Sequence, residues 1–259
     1  MTTLNNNTLI KTALGAVLAG AKIAELASGA QVVNNKGNLR DIVTQADIDI
    51  SELLEKQLSV TGLPVISEEK YDPAKGTPDV FWVVDPIDGT VNFSHDLQQF
   101  AVSVGLVENG EFKLGVVCAP ALDELYFTLN TGNALLNGRP FKHEHLPRED
   151  ALVAASFSAK APKSCYDLFQ QVNESTRGCL RTGSASLNIC WAATGKLQAA
   201  YGFNAKLWDV AGALAIAKAA GCKVALRYQP NALILDYCVG SQDAIDHITI
   251  LAQQNGLWD

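Results

Sequence analysis

Two aspartates stand three residues apart directly behind an apolar run, in the segment FWVVDPIDGTVNF at residues 81–93. Asp85 closes the apolar run, and Asp88 follows after two residues. Buried carboxylates repel each other and lose hydration, so such a pair requires a positive partner. Pro86 fixes φ and favours a tight turn, which lets both carboxylates point into one pocket. The carbonyl of Ile87 offers a further oxygen there.

Other acidic residues border apolar segments at distant points of the chain, namely Asp47, Glu68-Glu69 and Asp209. In α/β folds ligand sites form at the carboxyl ends of strands, where such residues converge. Clustered carboxylates without a cysteine pair or suitably spaced histidines favour a hard cation. Mg²⁺ is the first choice, with Mn²⁺ or Ca²⁺ as alternatives. Asp85 is placed to bridge two such cations.

The two residues after Asp88 add a site for an anion. Gly89 lets the backbone approach a ligand closely. Gly89 and Thr90 open a short predicted helix, whose free N–H groups would point at a phosphate. Metal ligands, turn and anion contacts thus fit within six residues.

Each of these features also has an ordinary structural explanation. A D-P-x-D-G sequence is a common turn. Asp47 and Asp209 each stand at a predicted helix start, where they would serve as caps. Glu68 and Glu69 follow a predicted strand, where acidic residues are usually solvated. Only the occurrence of all these features in one chain favours the metal site.

Composition and charge argue against nucleic-acid binding, a zinc site and a membrane segment. The 259-residue chain has a net charge of -7, and no dense Lys/Arg cluster indicates nucleic-acid binding. Its six cysteines include no C-x-x-C pair, so we expect reduced thiols in a cytoplasmic protein and no zinc site. The apolar residues 12–21 are fewer than the roughly 20 needed to cross a bilayer, and they predict an amphipathic first helix rather than a membrane segment.

The pattern along the chain predicts one α/β domain with two subdomains. Residues 1–146 read as two helices followed by hairpin-rich β-structure that contains the metal and phosphate motif. Residues 147–259 alternate between strands and helices and supply Asp209. The predicted helices cover residues 9–24, 163–175, 184–195, 208–221 and 243–254, and a further one begins near Asp47.

Taken together, these motifs resemble the inositol monophosphatase family of Mg²⁺-dependent, lithium-sensitive phosphatases, over nearly the whole chain. The segments that carry the resemblance are Lys36 to Asp47, ISEE at 66–69, WVVDPIDGTVNF at 82–93 and LWDVAGA at 207–213. The resemblance implies a layered αβαβα sandwich of the type shared with fructose-1,6-bisphosphatase. It also implies a homodimer, a small phosphorylated metabolite as substrate, and hydrolysis by a metal-activated water.

The resemblance also implies roles for individual residues, with two to three Mg²⁺ ions in each site. Glu68, Asp85 and the Ile87 carbonyl would form the first metal site, and Asp85, Asp88 and Asp209 the second; Glu68 would also support a weaker third ion. Asp47 and Thr90 would orient and deprotonate the attacking water, with Glu68 counted among the catalytic residues. Gly89 and Thr90 would bind phosphate, while Gly183, Ser184 and Ala185, with Asp88 and Asp209, would line the sugar pocket. Lys36 would lie near the site.

One departure from the family pattern concerns the substrate. Inositol-preferring members usually carry an acidic residue seven positions before the aspartate of the WD pair, and here that position is Gly202. Lys206 nearby would favour an additional anionic group, or is simply solvated. Inositol 1-phosphate is the first candidate substrate. Fructose 1,6-bisphosphate, histidinol phosphate, nucleotides and 3′-phosphoadenosine 5′-phosphate are alternatives, and a non-catalytic regulatory binding protein is the rival from another class.

Overall fold

A computed structural model describes residues 5–27, 32–35, 42–70, 76–130, 133–158, 160–229 and 233–258. Lys36 lies outside the described residues. The helices are α1 Asn6–Ala27, α2 Gln45–Leu58, α3 Thr90–Ser94, α4 Lys163–Ser175, α5 Ala185–Ala193, α6 Leu207–Ala220 and α7 Gln242–Gln254. The strands are β1 Val32–Asn35, β2 Ile42–Thr44, β3 Val65–Ser67, β4 Val80–Asp88, β5 Ala101–Glu108, β6 Glu111–Ala119, β7 Glu124–Asn130, β8 Asn133–Leu136, β9 Arg139–Phe141, β10 Leu152–Ser156, β11 Gly178–Leu180, β12 Ala199–Lys206, β13 Lys223–Arg227 and β14 Ile234–Gly240.

Two large sheets and three helical layers alternate through the molecule. One sheet has seven strands in the order β3-β4-β5-β6-β7-β8-β9, and the other has five in the order β11-β10-β12-β14-β13. Helices α1 and α2 cover the outer face of the first sheet, and α4 and α7 cover the outer face of the second. Helices α5 and α6 fill the space between the sheets. The fold is therefore the αβαβα sandwich that the family resemblance implies.

Helix α6 lies between the two sheets and is buried on nearly all sides. Its small residues allow an unusually close approach to the first sheet. A methyl group on Gly105 of β5 would lie 2.7 Å from the backbone nitrogen of Gly212, and one on Gly115 of β6 would lie 1.9 Å from the Gly212 oxygen. Both distances are below any normal contact, so these glycines set the depth at which α6 sits.

Most predicted elements are present, with differences where tertiary contacts intervene. Helix α4 covers the predicted residues, and α6 is followed at its end by Gly221, whose φ of +89° forms a left-handed cap. Helix α2 begins at Gln45, two residues earlier than predicted. Strand β4 continues past Asp85 to Asp88. The sequence does not predict the short strand β11, because its three residues carry no alternating pattern and, among the described strands, pair with β10 alone.

The chain passes from the first sheet to the second between Phe141 and Leu152. The core between the sheets contains residues from both halves, including Phe81 of β4 and Tyr237 of β14. The division into two subdomains near residue 146 remains a prediction. Among the described residues, no helix combines the length and apolarity needed to cross a membrane.

We expect Gly115→Ala to destabilise the fold, because the added methyl group would displace α6 from the sheet. Overpacking of this kind costs about 1–3 kcal/mol or more. Gly15→Ala is the matched control, since Gly15 in α1 has no atom within 4 Å of the added methyl group and an alanine favours the helix. The free energy of unfolding in urea should fall for the first variant and stay level or rise for the second. Equal stabilities would contradict the packing argument.

Candidate active site

An irregularity in β4 brings the two motif aspartates to one face of the sheet. Asp85 lies opposite Ser103 of β5 and Asp88 lies opposite Ala101, so two residues of β4 stand against Val102 alone. In a regular strand, residues three apart point to opposite faces. The extra residue of a β-bulge cancels that offset. Both carboxylates therefore face the layer of α5 and α6, where Ala101 also packs.

Pro86 and Ile87 are the residues inside the bulge. Proline has no backbone N–H to donate to a neighbouring strand, so it suits a position where the ladder is interrupted. The backbone N–H of Ile87 donates to Asp85 Oδ1 at 3.0 Å. This hydrogen bond ties the Asp85 side chain to the turn that contains Pro86 and Ile87.

Three carboxylates from three elements converge beside the bulge. Glu68 follows β3, Asp85 lies in β4 and Asp209 lies in the first turn of α6. One oxygen of each lies within 4.8 Å of the oxygens of the other two. Asp85 is buried, and the other two are partly exposed. A partly exposed cluster of carboxylate oxygens fits a hard divalent cation such as Mg²⁺.

The electrostatics of this cluster favour either protonation or a bound cation. Burial raises the pKa of Asp85 well above its ordinary value, and the charges of Glu68, Asp88 and Asp209 raise it further. Burial likewise raises the pKa of Asp209, with Glu68 and Asp88 adding to the effect. Negative charge in this position is unfavourable until a positive ion offsets it.

Asp88 is held by the first turn of α5. The hydroxyl groups of Ser184 and Ser186 both donate to its Oδ2, as does the backbone N–H of Ser186 at 2.8 Å; the N–H of Ala185 donates to Oδ1 at 3.2 Å. Burial raises the pKa of Asp88, and the serine hydrogen bonds partly offset this. The predicted pocket residues Ser184 and Ala185 are thus in contact with the motif, and Asp88 is not part of the convergent group of Glu68, Asp85 and Asp209.

Asp47 and Thr90 form a second pair. Asp47 Oδ2 accepts hydrogen bonds from the backbone N–H of Thr44 at 2.8 Å and from its hydroxyl at 2.6 Å. The Thr90 hydroxyl lies 3.3 Å from Asp47 Oδ1 and 2.9 Å from the Ile87 oxygen. Asp47 therefore caps α2 with one oxygen and contacts Thr90 with the other. Burial raises its pKa, while Thr44 lowers it and Glu69 raises it.

Asn92 joins the motif to the second half of the chain. Its side-chain amide donates to the Gln99 oxygen at 2.7 Å and to the Thr182 oxygen at 2.8 Å. A methyl group on Gly183, whose φ is +93°, would lie 2.8 Å from the same amide nitrogen. The amide thus fixes the segment that leads into Ser184.

Gly89 and His95 flank the short helix α3. Gly89 has a φ of +94°, and a side chain there would lie 2.8 Å from the Gln99 oxygen, so a glycine is required. His95 is the exposed residue that directly follows α3.

The sequence alone predicts no role for Asn92 or Ser186, because nothing in their spacing shows that the start of α5 lies against Asp88.

The sequence profile of the inositol monophosphatase family matches residues 5–254. The chain belongs to the inositol monophosphatase family. Members are generally metal-dependent and act on phosphorylated small molecules, in agreement with the acidic cluster.

Individual relatives show the range within this family. A fructose-1,6-bisphosphatase/inositol-1-monophosphatase of Thermotoga maritima is 32% identical over 73% of this chain and 73% of its own length. A putative Nus factor SuhB of Neisseria meningitidis serogroup B is 29% identical over 75% of this chain and 81% of its own length. A solved IMPase structure from Thermotoga maritima superposes with a TM-score of 0.83 at 26% identity, covering 95% of this chain and 97% of the other.

Metal removal should reveal the repulsion at Asp85. With EDTA at pH 7, we expect Asp85→Asn to raise the melting temperature, by about 2–4 °C for each kcal/mol of repulsion relieved. With Mg²⁺ the native protein should gain stability and the variant should gain less. Asp79→Asn, at an exposed position just before β4, is the control and should respond to Mg²⁺ as the native protein does.

The raised pKa of Asp85 determines how the stability of the metal-free protein changes with pH. Because the pKa of Asp85 is raised in the folded state, the folded protein binds more protons than the unfolded chain. Without metal, the free energy of unfolding should therefore fall as pH rises from about 4 through the folded-state pKa. Asp85→Asn should reduce this slope, as measured by urea unfolding at several pH values. An unchanged slope would contradict the assignment.

Proposed function

We propose that this protein is a Mg²⁺-dependent phosphomonoester hydrolase that acts on a small polyol or sugar phosphate, with inositol 1-phosphate as the first candidate. The observation that carries this proposal is the convergence of Glu68, Asp85 and Asp209 within 4.8 Å, adjoining the Asp47–Thr90 pair. Membership of the inositol monophosphatase family supports the same reaction class.

Glu68, Asp85 and Asp209 would hold the metal, with the Ile87 carbonyl as a further oxygen and Asp88 as a ligand of a second ion. Bound Mg²⁺ would neutralise phosphate charge and lower the pKa of water. Two to three ions in each site, with Mn²⁺ as an alternative, are proposed from the family resemblance. Asp88 already accepts four hydrogen bonds, so its contribution to a second ion depends on the lone pairs that these leave.

The protein groups would position the reactants. Asp47 and Thr90 are hydrogen-bonded to each other and would orient the attacking water and accept its proton. The backbone N–H groups of Gly89 and Thr90 would donate to the phosphate oxygens. Catalysis by this chain is therefore mainly positioning and electrostatic stabilisation, and requires no covalent intermediate.

The leaving group would contact Gly183, Ser184 and Ala185 beside Asp88 and Asp209. Gly202 provides no side chain to bind a hydroxyl group, so inositol itself is not uniquely favoured. Fructose 1,6-bisphosphate, histidinol phosphate, nucleotides and 3′-phosphoadenosine 5′-phosphate are alternatives.

A homodimer and inhibition by lithium are proposed from the family resemblance. The six buried, free cysteines support a cytoplasmic location.

A phosphate-release assay with these five classes of substrate tests the proposal. We expect hydrolysis that requires Mg²⁺, disappears with EDTA and decreases with lithium. The order of kcat/KM among the substrates would identify the preferred leaving group. No phosphate release from any of them, by protein shown to be folded, would contradict the proposal and favour a regulatory binding role, as the name of the Neisseria relative suggests for that protein.

Asp209→Asn should reduce kcat by about 100-fold or more, because it removes a charged metal ligand while keeping the size of the side chain. Asp243→Asn is the matched control, since Asp243 also lies in the first turn of a helix but in α7, away from the cluster. Circular dichroism should show that both variants fold. Normal turnover by Asp209→Asn would refute the metal assignment, and Asp88→Asn provides the same test for the second ion.

A further inference from the structure

Three polar side chains form a row along one face of α2. Asp47, Ser51 and Glu55 are spaced four residues apart, so they lie one above the other on the helix. Asp47 and Ser51 are buried, whereas Glu55 is partly exposed at the far end of the row. Asp47 contacts the phosphate motif. The other two side chains contact residues that flank Glu68.

Ser51 forms a buried hydrogen bond with Ser67, the last residue of β3. Their hydroxyl oxygens lie 2.7 Å apart, and both side chains are buried. The Ser51 hydroxyl also donates to Glu55 Oε1 at 3.4 Å. Because a hydroxyl has a single hydrogen, Ser67 is then the donor in the serine pair. Glu68 is the residue that directly follows this contact.

Glu55 and Lys70 form a second contact with the same segment. Lys70 Nζ lies 3.1 Å from Glu55 Oε2 in a largely exposed ion pair. Glu68–Lys70 is a single 3-10 turn, so α2 is bonded to the residue before the turn and to its last residue. We call the side chains of Ser51, Glu55, Ser67 and Lys70 the α2–β3 clamp. The exposed pair contributes little, so the buried serine pair is its main contact.

Few backbone contacts hold β3 itself. It is three residues long and stands at the edge of the seven-stranded sheet, with β4 as its neighbour among the described strands. Ser67 pairs with Val84, so Glu68 follows at the level of Asp85. A short element with few contacts opens more readily than an inner strand. The position of Glu68 beside Asp85 therefore depends on the side-chain bonds to α2.

We propose that Ser51 and Ser67 position Glu68 for metal binding, through the hydrogen bond that joins α2 to β3. This inference rests on the proposed function, in which Glu68 is a metal ligand. Both serines are positioning residues, since they act through the turn that carries Glu68. Asp47 lies about one turn before Ser51 on the same helix, so the clamp also sets the distance between the metal ligand and the residue that would orient the attacking water.

Unfolding in EDTA tests the hydrogen bond itself. Ser51→Ala leaves the buried Ser67 hydroxyl without its acceptor and should lower the melting temperature by about 2–8 °C. Ser67→Ala should cost less, because Ser51 still donates to Glu55. The double variant Ser51→Ala, Ser67→Ala removes both hydroxyls and should be more stable than Ser51→Ala alone.

A titration with Mg²⁺ tests the positioning role. The melting temperature of the native protein should rise with Mg²⁺ concentration, which gives an apparent Kd for the ion. This Kd should increase by about three- to tenfold in both single variants, as expected for the loss of one hydrogen bond. The double variant should show the same weak binding although its stability is partly restored, because the bond between α2 and β3 is absent from it.

Ser241→Ala is the matched control. Ser241 is also a buried serine, and it caps α7 by accepting a hydrogen bond from the N–H of Ala244 at 3.4 Å. Its loss should lower the melting temperature and leave the Kd for Mg²⁺ unchanged. A weaker Kd in this control, equal to that of Ser51→Ala, would overturn the inference. So would folded serine variants with the native Kd, or a double variant that regains the native Kd together with its stability.

Failure of the inference and failure of the proposed function give different results. A native protein whose melting temperature does not respond to Mg²⁺ refutes the metal site and the inference with it. A native protein that binds Mg²⁺ but releases no phosphate refutes the hydrolase, and the comparison of Kd values still decides the inference. An active native protein whose Kd is the same in the serine variants refutes the inference alone.

Discussion

The close contact between α6 and the first sheet is the constraint on which the site depends. Gly212 approaches Gly105 and Gly115 so nearly that no side chain fits between them. Asp209 lies three residues before Gly212, almost one helical turn away. The packing of glycine on glycine therefore fixes how near Asp209 comes to Asp85. A helix held through larger side chains would stand farther from the sheet, and the three carboxylates would not converge.

The protein compensates the carboxylates of the site unequally. Asp88 accepts four hydrogen bonds from the start of α5, and Asp47 accepts two from Thr44 and contacts Thr90. Asp85 accepts one short-range bond from Ile87, and Asp209 accepts one from Lys206 at a distance of 3.4 Å. Asp88 and Asp47 are thus stabilised largely by protein donors. Asp85 and Asp209, in contrast, retain oxygen lone pairs for a cation. Burial and the neighbouring carboxylates raise the pKa values of Asp85 and Asp209, and these few hydrogen bonds do little to offset the effect.

Features that depend on local sequence could be predicted, and features that depend on contacts between distant elements could not. The periodic helices and the convergence of acidic residues from strand ends and helix starts follow from residue type and order, and in the structure Glu68, Asp85 and Asp209 come together. The donors from Ser186 to Asp88 arise only when α5 meets β4. The hydrogen bond between Ser51 and Ser67 likewise depends on the packing of α2 against β3, which no pattern in either element specifies. Asp47 and Asp209 were ambiguous between cap and ligand, and each accepts a capping hydrogen bond while lying in or beside the acidic cluster.

Because of the bulge in β4, the site depends on the number of residues between Asp85 and Asp88 more than on the identity of the residues around them. Asp85 and Asp88 share a face only because two residues stand against Val102 of β5. Deleting one residue between them would restore a regular strand, in which the two aspartates stand two residues apart and still share a face. The turn that presents the Ile87 carbonyl would be lost. Gaining one would send a carboxylate into the apolar layer beneath α1 and α2. Related sequences can therefore tolerate substitutions around the motif, but not insertions or deletions between Asp85 and Asp88.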